Sequence, residues 1–206
     1  MKQIITAAIA LTLVPSPALP VDKDPARANV LVIGIPRENI TSNYYYDGLI
    51  AEKISIPVDS LAGFFNRAIV SRLPDAGAGP ARFICRGNHP RDRALDAGLR
   101  YEGEEENIRV DLSRVSRDAL ARLLDDFNAD FLLLVNQYYM KQETEPFPYL
   151  YHIIHYELYD RDKTTRYRGV ASFDTPDLMP APRLDKYYKK IASKIVSRVN
   201  RAISES

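Results

Sequence analysis

The histidine and carboxylate side chains between residues 152 and 162 have the residue types best able to do chemistry in this chain. His155, Glu157 and Asp160 together would suit a small hydrolase or a metal-dependent enzyme. The sequence lacks G-x-S-x-G, H-E-x-x-H, a phosphate-binding glycine loop and any Cys-His framework. Asp160 and Asp162 are better explained as turn residues that bond their own backbone. Catalysis is therefore the alternative interpretation, and no catalytic residue is assigned.

His152 and His155 invite a metal interpretation that their spacing does not support. Residues three apart on a strand point to opposite faces, so the two cannot hold one ion unless a bulge intervenes. His152 would share its face with apolar neighbours, which predicts a hydrogen-bonded histidine in the core or at an edge of the sheet. No metal and no cofactor are expected.

Cys85 is the only cysteine, so an intrachain disulfide is excluded. It lies in a short apolar run, and no histidine or basic residue stands at a recognised catalytic spacing from it. These features predict a buried, unreactive thiol.

The strand that carries His155 presents an alternating row of aromatic and polar side chains on one face. Tyrosine, with its apolar ring and polar tip, is enriched at interfaces, and this row predicts a partner-binding surface. The predicted binding residues are Tyr139, Tyr149, Tyr151, His155, Glu157 and Tyr159. Tyrosine also has a high strand propensity, so a half-exposed sheet explains the same row without any partner.

Hydrophobic periodicity predicts the elements that position these residues. The order is a strand at 29–36, a helix at 60–73, a strand at 83–86, a helix at 116–127 capped by Ser116, strands at 131–135, 149–160 and 165–173, and a helix at 184–203. The segment 37–57 is interpreted as a loop with at most a short strand, and 87–107 as a charged, solvated loop.

This order predicts an α/β (α+β) fold in a single two-layer domain at 29–203. We expect a mixed sheet of about five strands that ends in a three-stranded meander and is backed by three helices.

Residues 1–18 have the pattern of a secretion signal. Lys2 precedes an apolar stretch at 4–14, and Ser16, Pro17 and Ala18 fit cleavage after Ala18. A stretch of about eleven residues is too short for a membrane anchor, which takes about twenty. No cysteine stands near the cut, so acylation as a lipoprotein is not expected. We expect a periplasmic or secreted protein with a loose segment at 19–28 and no transmembrane segment after cleavage.

The charge balance argues against nucleic acid as a partner. The chain has 28 basic and 27 acidic residues, and loss of Lys2 with the signal leaves 27 of each. Phosphate binding depends on concentrated positive charge. The one basic cluster, interpreted as the solvated face of the last helix, consists of Lys186, Lys189, Lys190, Lys194, Arg198 and Arg201.

The carboxyl-terminal half resembles a group of bacterial envelope proteins. The matching features are the run ADFLLL at 129–134, a tyrosine-rich hairpin, the run YELYD at 156–160 before a turn with Thr164 and Thr165, and Gly169 in the next strand. They resemble proteins with a fold like the amino-terminal domain of TolB, among them the lipoprotein activators of penicillin-binding proteins. The resemblance covers about residues 115–203. The lipoprotein cysteine is absent, and 87–107 has no counterpart.

The resemblance implies a binding or scaffolding role and transfers no active-site residue. The leading hypothesis is a non-enzymatic, secreted or periplasmic envelope protein that binds an envelope protein or a cell-wall component through its sheet. The oligomeric state stays open.

Overall fold

A mixed β-sheet of six strands forms the centre of the molecule. The structure is a computed structural model that describes residues 27–85, 95 and 98–205. The strands in these residues are β1 (Ala28–Ile33), β2 (Ile40–Ser42), β3 (Ala81–Cys85), β4 (Arg100–Glu102), β5 (Arg109–Asp111), β6 (Phe131–Glu143), β7 (Tyr149–Tyr159) and β8 (Thr165–Thr175). Strands β4 and β5 pair with each other as a separate antiparallel hairpin.

The sheet has the order β3-β1-β6-β7-β8, and β2 also pairs with β6. Strand β1 is parallel to β3 and to β6, whereas β6, β7 and β8 form an antiparallel meander. The predicted mixed sheet with a carboxyl-terminal three-stranded meander is confirmed. Strand β2 brings the predicted five strands to six.

Strand β6 is long enough to accept two parallel partners along one edge. Val30 of β1 lies beside Phe131, and Ile40 of β2 lies beside Tyr138 seven residues further along. A short 3₁₀ helix (Arg37–Asn39) follows Pro36 and joins the two partners. The side-chain amide of Asn39 donates a 2.7 Å hydrogen bond to the backbone carbonyl of Asn136, and this bond anchors the connection to β6.

Helices cover the two faces of the sheet unequally. The α-helices in the described residues are α1 (Asp47–Ile54), α2 (Leu61–Ala68), α3 (Arg117–Asp126) and α4 (Ala181–Ser204). Helices α1, α2 and α4 share one core with Val30 and Val32, whereas α3 and the β4–β5 hairpin share the other with Leu31 and Ile33. The predicted α/β domain therefore carries a partial third layer.

Several elements differ from their predicted bounds. The segment 37–57, predicted as a loop, contains β2 and helix α1. The apolar side of α1 is only Ile50, Ala51 and Ile54, too short a run to show a helical period. Helix α2 ends at Ala68, and a 3₁₀ helix containing Pro74 continues to Asp75.

The remaining helices lie close to their predicted positions. The Ser116 cap of α3 is confirmed, because its hydroxyl accepts a 3.1 Å hydrogen bond from the Ala119 amide. Helix α4 begins at Ala181, three residues before the predicted start. Among the described residues, no helix has the length and apolar character needed to cross a bilayer.

The charged segment 87–107 is described only in part. Residues 87–94, 96 and 97 lie outside the described residues, as do 1–18 and most of 19–28. The described end of the segment is not a loop throughout, because it forms strand β4 and the turn of the hairpin.

Candidate binding face

One face of the β6–β8 meander carries every predicted binding residue. The row along β7 is Tyr149, Tyr151, His155, Glu157 and Tyr159, and Tyr139 lies beside Ile153 on β6. The exposed fraction is 40 % at Tyr149 and 3 % at both Glu157 and Tyr159. The face is therefore divided into an open half and a half covered by the β4–β5 hairpin.

Three polar side chains of the sheet, which we call the clasp, hold the hairpin over the covered half. They are Asn136, Gln137 and Glu157. The Glu157 Oε1 atom accepts from the Val110 amide at 3.1 Å, and the Gln137 Oε1 atom accepts from the Ile108 amide at 3.2 Å. The Asn136 amide donates to the Ile108 carbonyl at 2.7 Å. The side chains of the clasp thus bind backbone groups of the hairpin.

A β-bulge explains how neighbouring side chains of β6 both reach the hairpin. The register between β6 and β7 shifts between Val135 and Gln137, which leaves Asn136 as the extra residue. Such a bulge bends the strand and redirects its side chains. The sequence signal for this site is the abrupt change from apolar residues to Asn136 and Gln137, which does not by itself reveal the hairpin as their partner.

Glu157 is a buried carboxylate with a full set of partners. Its Oε2 atom accepts from Arg168 Nε at 3.0 Å and from the Tyr159 hydroxyl at 2.7 Å. Burial and the bond to Glu157 raise the pKa of Tyr159, so this hydroxyl stays protonated and donates. A paired and hydrogen-bonded buried charge of this kind holds neighbouring elements together.

Tyr139 lies beneath the turn of the hairpin. Its pKa is raised, mainly by burial and further by the charges of Glu105 and Glu106. Lys141 approaches Glu106 at 3.3 Å and closes this end of the covered half. Tyr139, Glu157 and Tyr159 are thus inaccessible to a partner while the hairpin stays in place.

The open half, which we call the open face, combines aromatic, aliphatic and imidazole side chains. It consists of Tyr149, Tyr151, Ile153 and His155 on β7 and Val170 on β8. Val170 lies beside His155 and is 44 % exposed. Burial lowers the pKa of His155 although Glu157 and Glu106 oppose this shift, so the imidazole is neutral at physiological pH.

His155, Glu157 and Asp160 do not assemble into a reactive group. Glu157 is occupied by the hairpin and Arg168. Asp160 accepts from the amides of Asp162 at 2.9 Å and Thr164 at 2.8 Å, as predicted for a turn residue. Within the described residues, no three His, Cys, Asp or Glu side chains are grouped to hold a metal ion.

His152 lies on the opposite face, and its prediction as a core histidine is confirmed. Its Nδ1 atom is 2.6 Å from the Tyr138 hydroxyl, and its Nε2 atom is 3.0 Å from the Thr175 hydroxyl. The Phe173 ring stacks on the imidazole with 4.2 Å between ring centroids. Burial lowers the pKa of His152 to about 3.

Cys85 is half-buried at the end of β3. Its thiol donates to the Val70 carbonyl at 3.0 Å. Burial, assisted by the charge of Asp75, raises its pKa to about 11. The thiolate, which is the nucleophilic form, is therefore strongly disfavoured.

Comparisons with known proteins show likeness at the level of fold. No family model matches the sequence, and no curated protein matches it significantly. The hypothetical protein CT253 of Chlamydia trachomatis has a similar structure, with a TM-score of 0.52 and 11 % identity over 87 % of this chain and 100 % of that one. At this identity the likeness shows the fold alone.

Two further solved structures have lower scores. The PelC dodecamer of Paraburkholderia phytofirmans has a TM-score of 0.39 and 9 % identity over 84 % of this chain and 88 % of that one. The lipoprotein GNA1162 of Neisseria meningitidis has a TM-score of 0.36 and 14 % identity over 87 % of this chain and 99 % of that one. These similar structures are all from bacteria, and they do not confirm the more specific resemblance to TolB-like domains.

Proposed function

We propose that this protein is a non-enzymatic binding or scaffolding module of the bacterial cell envelope, and that the open face contacts its partner. The partner is another envelope protein or a cell-wall component. The observation that carries the proposal is the contrast between the two halves of one sheet face. The hairpin covers Tyr139 and Tyr159, whereas on the same face Tyr149 is 40 % exposed and Tyr151 is partly exposed.

The composition of the open face supports a contact surface. Its tyrosines offer large apolar rings with hydroxyl tips, the combination enriched at protein interfaces. Polar residues border the apolar ones, because Ser172 lies beside Ile153 and Asp174 lies beside Tyr151. An apolar centre with a polar border is the usual anatomy of a recognition surface.

The same geometry speaks for binding rather than catalysis. The carboxylates whose charges act on His155 are already engaged, since Glu157 bonds the hairpin and Arg168 and Glu106 pairs with Lys141. On the sheet itself, His155 lies beside Val170 of β8, which offers no group for proton transfer. The secretion pattern of residues 1–18 supports a location in the envelope.

Site-specific photo-crosslinking in the native envelope tests the proposal. A photoreactive amino acid at position 151 is expected to yield one defined product, and the same amino acid at Tyr46 serves as control, since Tyr46 is 71 % exposed and lies outside the open face. Tyr151→Ala should weaken capture of the crosslinked partner by about fivefold while changing the unfolding free energy less. Tyr46→Ala should leave capture unchanged.

Tyr159→Ala separates a folding defect from a binding defect. Because Tyr159 is buried and bonded to Glu157, its loss should destabilise the fold by about 3 kcal/mol in urea denaturation. The proposal is rejected if positions 151 and 46 give the same products, or if Tyr151→Ala captures as well as the unaltered protein.

A further inference from the structure

Strand β8 ends the sheet with an unpaired edge. It has 11 residues, and within residues 27–85, 95 and 98–205 no strand pairs with its outer side. An edge of this length presents a row of backbone N–H and C=O groups and is a ready template for another strand. Natural proteins usually shorten or obstruct such an edge, so a long one calls for an explanation.

One hydrogen bond shows which backbone groups face outward. The Arg198 guanidinium of α4 donates to the Val170 carbonyl, which places that carbonyl on the outer side of β8. Backbone groups alternate in direction along an antiparallel strand. The N–H and C=O groups of Arg168, Val170 and Ser172 therefore point away from β7.

Helix α4 runs alongside this edge. The Tyr187 ring stacks on Phe173 near one end of β8, with 5.1 Å between ring centroids. Near the other end, Arg198 and Arg201 line an open cavity of about 670 Å³ together with residues 164–167. The helix between positions 187 and 201 and the strand between 173 and 166 each measure about 21–23 Å.

The side of α4 next to the edge is strongly basic. Positions 190, 194, 198 and 201 recur at helical spacing and form one row, which we call the basic row. Its members are Lys190, Lys194, Arg198 and Arg201. Among the described residues none of them has an ion-pair partner, whereas Lys189, outside the row, pairs with Asp185 at 3.0 Å. Four positive charges thus lie parallel to an open strand edge, with Glu205 as the one acidic side chain of the described residues that lines the cavity beside Arg198 and Arg201.

We propose that the outer edge of β8 and the basic row together bind an extended acidic peptide segment of a partner protein, which joins the sheet as a further strand. The backbone of β8 would supply the hydrogen bonds, as in other strand-addition complexes, and Arg198 would leave the Val170 carbonyl to meet a carboxylate of the peptide. Alternate side chains of the incoming strand are about 6.8 Å apart and lie on the same face. The side chains that face α4 meet the basic row. Carboxylates at these alternate positions therefore complement the charge of the basic row.

Charge also argues against a second copy of this chain as the occupant. A symmetric antiparallel pairing of two β8 edges would bring two basic rows to the same side of the joined sheet. Like charges placed next to each other across an interface are unfavourable. The surface is separate from Tyr149 and Tyr151, so this inference goes beyond the proposed function.

A defined peptide probe tests the edge directly. A twelve-residue peptide in which Glu alternates with Thr is compared with its Lys counterpart and with a peptide of the same composition whose Glu residues stand in one block. The alternating acidic peptide should bind most tightly, and raising the salt concentration should weaken it. Hydrogen exchange should show new protection at the amides of Arg168, Val170 and Ser172.

Two pairs of variants divide the proposed surface into its parts. Ser172→Pro removes one outward N–H, which an edge strand tolerates, and should weaken binding about fivefold relative to Ser172→Ala. The double variant Lys190→Glu with Lys194→Glu should weaken it about tenfold or more. Arg117→Glu with Arg122→Glu makes the same charge change at exposed positions of α3, which packs on the other face of the sheet, and should have little effect.

The outcomes that overturn the inference are specific. They are equal binding of the Lys peptide, unchanged binding by Ser172→Pro, tighter binding of a DNA oligonucleotide than of the acidic peptide, or a dimer of the chain that Ser172→Pro dissolves. Tyr151→Ala should bind the acidic peptide normally. Loss of peptide binding and loss of the partner captured at position 151 are therefore distinguishable results.

Discussion

His152 is enclosed by hydrogen-bond partners and by an aromatic ring, so its imidazole remains neutral well into the acid range. Both ring nitrogens are engaged, one by Tyr138 and the other by Thr175. Protonation would place a charge in a fully buried position where, within the part of the chain that the structure describes, no carboxylate pairs with the ring. The residue therefore links the stability of the fold to pH.

Acid should destabilise the protein through His152. Its pKa falls from 6.5 to about 3 in the folded state, so the unfolded chain binds the proton first. Neutral His152 makes its full contribution to the unfolding free energy above pH 6.5, and this contribution is lost as the pH falls toward 3. Urea denaturation at pH 7.5 and at pH 5 should show a fall in unfolding free energy that is about 2 kcal/mol smaller in His152→Gln than in the unaltered protein.

The control for this effect is the second histidine of β7. His155→Gln should flatten the pH dependence of the unfolding free energy less than His152→Gln does, because His155 is only half-buried. Parallel pH profiles for His152→Gln and the unaltered protein would contradict the assignment.

The alternation of side chains along β7 could be predicted from the sequence, but their burial could not. Strand periodicity separates His152 from His155 and places Tyr151, Glu157 and Tyr159 on one face, as observed. It carries no information on what covers that face. Glu157 and Tyr159 are buried because a hairpin some 50 residues earlier in the chain folds over them.

The β4–β5 hairpin is the element that decides which part of the sheet is accessible. Its strands have three residues each and are rich in charge, so neither apolar period nor strand propensity marks them. It is held largely through backbone groups that bond to the clasp, a kind of contact that leaves no pattern in the hairpin's own sequence.

Removing one arm of the clasp should loosen the hairpin. Gln137→Ala deletes the bonds from its side chain to the Ile108 amide and the Glu105 carbonyl. The amides of the hairpin should then exchange with solvent about tenfold faster in hydrogen-exchange measurements, with smaller changes in β7 and β8.

Gln142→Ala provides the matched control for this prediction. It makes the same change on the same strand, but Gln142 contacts Tyr45 and not the hairpin. Equal exchange rates of the hairpin in the two variants would show that Gln137 does not hold it.

At the scale of the whole molecule, the order of elements carries the fold with little help from residue identity. CT253 has a similar fold at only 11 % identity, so few individual residues are needed in common. The meander and the long last helix follow from the pattern of apolar strands and helices. The second parallel partner of β6 does not, because β2 has only three residues and its place depends on the 3₁₀ turn before it.

Export is the property of the whole chain that is simplest to check. If residues 1–18 are a cleaved signal, mass spectrometry of the protein from the periplasm or medium should find an amino terminus near Leu19. An Ala18→Asp variant should accumulate uncleaved, because a charged residue does not fit the small-residue cleavage position. Full-length protein confined to the cytoplasm would contradict the prediction.

The double partnership of β6 has a consequence for the way the chain reaches its folded state. The Asn29 amide at the start of β1 bonds to Asp130, which stands 101 residues later. A chain that emerges from its amino terminus at about 5–20 residues per second leaves the β6 side of β1 unpaired for about 5–20 s, although β3 can already pair with its other side. Val30, Leu31 and Val32 are fully buried in the finished fold, and their side facing β6 stays unpaired throughout this interval. A holding chaperone that shields β1 until β6 arrives should therefore raise the yield more than one that acts on the meander.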